Sequence, residues 1–124
     1  MRRARFLLPV IAVATLLSNA SAFAASYYYC RLAPLPYNGK NPTYFSDVFG
    51  PLPSSINHDE TTAQAAIAAF EKFVSGKYNV KGSAGCAIAQ TEAQVREELR
   101  RDEQTVAAPV NGGKAVETGW KFSL

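Results

Sequence analysis

Histidine and tryptophan each occur once in the 124 residues, cysteine twice and methionine once. A single histidine and two cysteines leave little from which to build a metal site, which needs several His, Cys or carboxylate ligands together. Charge is sparse at 19% and has no large excess of either sign. The formal charge of +3 is itself concentrated, because Arg2, Arg3 and Arg5 stand at the extreme N-terminus. Without them ten basic residues face ten acidic ones. The basic footprint of a nucleic-acid binder or a polybasic membrane-surface binder is therefore missing. Missing too are a C-x-x-C pair, a G-x-S-x-G nucleophile elbow and a P-loop; Gly82-Ser83-Ala84-Gly85 lacks the P-loop spacing, and its lysine precedes it.

The one long apolar run spans Phe6 to Leu17, interrupted by Pro9 and Thr15, between the arginines and the small residues Ser18 to Ala25. That order is expected of a secretory signal peptide, and a run of about a dozen residues is short of the roughly 20 that a spanning helix needs. Ala20-Ser21-Ala22 and Ala22-Phe23-Ala24 are competing cleavage motifs. The second is preferred, giving a leader over 1–24 and one domain over 25–124. The Arg-led, Ala-rich leader suggests a bacterium, with periplasm or medium as the destination. No span is expected after its removal.

Export places Cys30 and Cys86 in an oxidising compartment, where a disulfide between them is expected. It closes a loop of 57 residues, counting both cysteines, a constraint of about 4 kcal/mol in the chain-entropy model.

Tyr27 to Leu32 reads as a strand, with Tyr28, Cys30 and Leu32 inward and Tyr27, Tyr29 and Arg31 on the other side. After a loop with the turn dipeptide Asn38-Gly39, Tyr44 to Phe49 reads as its hairpin partner, stopped by Gly50-Pro51-Leu52-Pro53. Asn57 and Glu60 form a capping box ahead of an apolar stripe at Ala63, Ala66, Ile67, Phe70, Phe73 and Val74, with Gly76 as the stop. Lys81 to Gly85 reads as a turn and Cys86 to Ala89 as a short strand. Thr91 and Gln94 cap a second, charged helix to about Val106, with a thin apolar side at Val95, Leu99 and Val106. Alternation of Val116, Thr118, Trp120 and Phe122 makes a final strand. The expected fold is α+β in the order β-β-α-β-α-β, a sheet of about four strands with both helices on one face.

Three functions follow. The leading expectation is a non-enzymatic binding or inhibitor-like module of the cell envelope or medium. If the helices cover one face of the sheet, Tyr27, Tyr29 and Arg31 form an open recognition face for a protein, peptide or glycan. The second is a small hydrolase using His58 with a nearby carboxylate, although Asp59 and Glu60 beside it are explained by the helix dipole. The third is an accessory subunit of an envelope complex. No cofactor is expected, and Asp47 lacks the second carboxylate that a glycosidase pair needs.

Overall fold

The computed structural model describes residues 25–35, 41–53 and 59–124. The leader, Asn38-Gly39, Asn57 and His58 lie outside the described residues. The elements are β1 (Ala25–Pro34), β2 (Pro42–Phe45), β3 (Phe49–Pro53), α1 (Asp59–Tyr78), β4 (Gly82–Ala89), α2 (Glu92–Ala107) and β5 (Lys114–Glu117). Five strands form one mixed sheet, so the fold is α+β with two helices packed on it.

β1 is the spine. One edge pairs with all of β4, from Tyr27 opposite Ala89 to Pro34 opposite Gly82. The other edge pairs with β2 through Leu32 and Tyr44, then with β3 through Tyr28 and Phe49. β2 and β3 are thus one bent strand, and the pairing slips by one residue across Ser46 to Val48 and again across Gly50-Pro51. At the first slip Ser46 stitches the ladder. Its N–H donates to Cys30 O at 2.9 Å, and its hydroxyl accepts from Cys30 N at 2.7 Å. At the second, Gly50 has φ +131°, and a Cβ there would come within 2.7 Å of Ser26 O, so only glycine fits. The expected strand stop at Gly50-Pro51-Leu52-Pro53 is therefore a bulge inside a continuing strand. β5 runs parallel to β2, from Pro42 opposite Lys114 to Phe45 opposite Glu117.

Two cores result. Tyr28, Cys30, Leu32, Tyr44 and Phe49 meet Ala66, Phe70 and Val74 of α1 on one face. Tyr29, Phe45 and Val48 meet Val95 and Leu99 of α2 on the other. The helices therefore lie on opposite faces, not on one. α1 carries the chain from β3 past β1 to the parallel strand β4, and α2 carries it back past β1 and β2 to β5. Parallel crossovers are right-handed almost without exception, so reversing the direction of travel changes the face that is covered. The tyrosines on both sides of β1 require the same outcome, since each side must be buried.

Three boundaries also differ from expectation, the first at β5, which ends at Glu117 and leaves Thr118, Trp120 and Phe122 beyond the strand. α1 runs through Gly76 and ends where Asn79 takes φ 57°, with its N–H on Ser75 O at 3.0 Å, because asparagine accepts the left-handed cap conformation. Gly82 to Gly85 is strand, not turn. A Cβ on Gly82 would collide with the Ala33 carbonyl, so the glycine there serves close strand packing. Thr91 caps α2 as expected, accepting from Gln94 N at 3.1 Å. Cys30 and Cys86 stand directly opposite each other and are bonded.

Candidate functional site

Tyr27, Tyr29 and Arg31 project together onto the α2 face, as the alternation of β1 dictates. That face is not open around Tyr29, which is 6% exposed beneath the helix. Its hydroxyl donates to Asp102 Oδ2 at 2.8 Å, and the guanidinium of Arg31 donates to Asp102 Oδ1. Burial first, and then the bonded carboxylate, raise the Tyr29 hydroxyl pKa well above the usual tyrosine value. Arg31 also lies over the Phe45 ring at 5.8 Å. Tyr27 is half-buried. The thin stripe of α2 suffices to cover this end of the face.

Beyond Arg31 the cover stops. A concavity of about 460 Å³ opens there, with Tyr29 and Arg31 as its wall and Ala33, Ser83, Gly85 and Ala87 as its floor. A Cβ built on Gly85 meets nothing within 4 Å. This shelf is the part of the Tyr27, Tyr29 and Arg31 face that remains accessible, and its floor is β4, the segment expected to begin with a turn.

A second concavity, of about 580 Å³, lies on the other flank of α2, between the helix, the Ser46-Asp47 bulge and the end of β5. Glu103 and Glu117 approach each other there. Glu103 Oε2 is buried and receives no donated proton from a neighbouring donor. Two carboxylates bond to each other only when one is protonated. Burial, and then the neighbouring Glu117, push the Glu103 carboxyl up to about 7. Asp47 caps its own bulge through Val48 N at 2.7 Å and stands 3.6 Å from Arg96 and 3.8 Å from Lys121. The Thr118 hydroxyl donates to Phe45 O and the Ser46 hydroxyl to Asp47 O, so both cleft hydroxyls are engaged with backbone carbonyls.

Sequence reading missed this acid pair, because its members sit on different elements. One signal was present: Glu103 follows Leu99 by four residues, on the side of α2 that carries Val95, Leu99 and Val106. An acid there is out of place.

No group of three or more His, Cys, Asp or Glu able to hold a metal ion occurs among the described residues, and no helix among them is long and apolar enough to cross a membrane. No family model, curated protein or solved structure matches the chain.

Proposed function

We propose that this protein is an exported, disulfide-stapled binding module without a catalytic step of its own, acting on a protein, peptide or glycan of the bacterial envelope or medium. The observation that carries the reading is the open shelf beside Arg31, floored by the small side chains of β4. A small-residue floor lets a ligand approach the sheet closely, and Arg31 and Tyr29 supply a polar and aromatic wall. The Cys30–Cys86 bond is compatible with an oxidising compartment. The engaged Ser46 and Thr118 hydroxyls support binding over acyl-transfer chemistry, which needs a hydroxyl activated by a base.

Gly85→Trp tests the reading, because a Cβ at Gly85 meets no atom within 4 Å and the indole is carried out into the shelf. Mature wild-type protein and the variant serve as baits for envelope extract. A partner retained by the first and lost by the second, with the variant folded and its disulfide intact, is the expected result. Equal capture by both contradicts it.

A further inference from the structure

The outer edge of β4 carries a pattern that suits one partner, a second copy of itself. Among the described residues β4 pairs only with β1. Its eight residues, Gly82 to Ala89, include neither a charge nor a proline, although exposed edge strands are ordinarily guarded by one or the other. The direction of its backbone groups follows from Cys30, whose N–H and C=O both bond to Ser46 on the far side of β1. The pairs of Cys30 with Cys86, Tyr28 with Ile88 and Leu32 with Ala84 are then the non-hydrogen-bonded ones. Ala84, Cys86 and Ile88 consequently aim their N–H and C=O groups outward. Ala84 confirms the assignment, since its N–H donates to Glu71 Oε2 of α1 at 3.0 Å.

Glu71 occupies the edge at Ala84 and leaves Cys86 and Ile88 as the pairing segment. Ile88 is 42% exposed. We infer that two copies of this chain pair antiparallel through β4 about an axis at Ala87, with Cys86 of each opposite Ile88 of the other. Of the registers open to outward-facing residues, this one gives the longest ladder that spares Ala84. It sets Ala87 against Ala87 and Gly85 against Ala89, so no like charges oppose each other across the ladder.

An axis perpendicular to the sheet keeps both α2 helices on the same face. The α2 of one copy, standing over its own Ala89 with Gln94, Glu98 and Arg101 around a shallow hollow, is thereby brought beside Gly85 of the other, over the empty part of the shelf. Glu98, which makes no ion pair among the described residues, then approaches Arg31, whose side chain is 39% exposed. The partner's α2 then adds a wall to each shelf at its Gly85 end and leaves the end at Ala33 and Ser83 open. The side chains of β4 are small, so the contact falls below a standard interface of roughly 1,600 Å², and a dissociation constant of roughly 10 μM to 1 mM is expected.

Sedimentation velocity of the mature, oxidised chain over that concentration range is the test, and it requires no ligand. Pairing therefore stands or falls separately from the shelf reading. Wild-type protein should shift from monomer to dimer. Ile88→Pro removes an outward-facing N–H that β1 does not use, and should remain a monomer at concentrations where the wild type is mostly dimer. Ile88→Lys, at the same exposed position, should weaken pairing at least tenfold and keeps the test available if the proline variant does not fold. A wild type that stays monomeric throughout, or a folded Ile88 variant that dimerises as the wild type does, overturns the proposal.

Discussion

Glu103→Gln turns the acid pair into a measurable pH dependence. In the native protein the Glu103 carboxyl is raised from an ordinary 4.5 to about 7, chiefly by burial and then by Glu117. Between those values the folded state holds a proton that the unfolded state has released. Stability from Glu103 is therefore fully present below about pH 4.5 and is lost as pH rises through about 7. A shift of one unit is worth about 1.4 kcal/mol. Glu103 is partly open to solvent, which screens the interaction, so the expected loss is on the order of 1 kcal/mol. Glutamine cannot ionise and still donates to Glu117, so Glu103→Gln should flatten the dependence and exceed the wild type in stability at pH 8. Urea unfolding at half-unit steps from pH 4 to 8, read by Trp120 fluorescence, measures the difference between the two curves. Parallel curves would refute the raised Glu103 carboxyl.

The remaining predictions concern the covered face and the bridge. The double Cys30→Ser, Cys86→Ser variant should lose on the order of 2 to 5 kcal/mol in urea unfolding. Tyr29→Ala should cost about 3 kcal/mol or more, because it removes a buried ring and leaves the Asp102 carboxylate without the Tyr29 hydroxyl. Tyr29→Phe should cost only about 1 kcal/mol, since Arg31 still bonds Asp102. Gly50→Ala should destabilise by several kcal/mol at its positive-φ bulge, whereas Gly85→Ala should change stability by less than about 1 kcal/mol.

What could be read from the sequence is what local periodicity controls. Ala66, Phe70 and Val74 are fully buried on α1, as their spacing requires. The parity of β1 correctly separates Cys30 from Tyr29, and two cysteines permit one bridge. What escaped depends on contacts distant in sequence. Gly82-Ser83-Ala84-Gly85 has the composition of a turn and becomes strand because β1 templates it over its whole length. The facing of α2 is set by the direction of the β4-to-β5 crossover, which no local pattern encodes. With α2 on the second face, the expected open tyrosine surface shrinks to the shelf at Arg31. The shelf itself is defined by where a helix stops covering a sheet.

Site-specific photocrosslinking locates the ligand surface most directly. A benzophenone side chain at Ser83, on the shelf floor, is compared with one at exposed Ala68 on α1, each irradiated in envelope extract. Adducts with a partner distinct in mass from a second copy of this chain are predicted at Ser83 and absent at Ala68. Equal adducts at both positions, or none at Ser83, would contradict the assignment of the shelf as the binding surface.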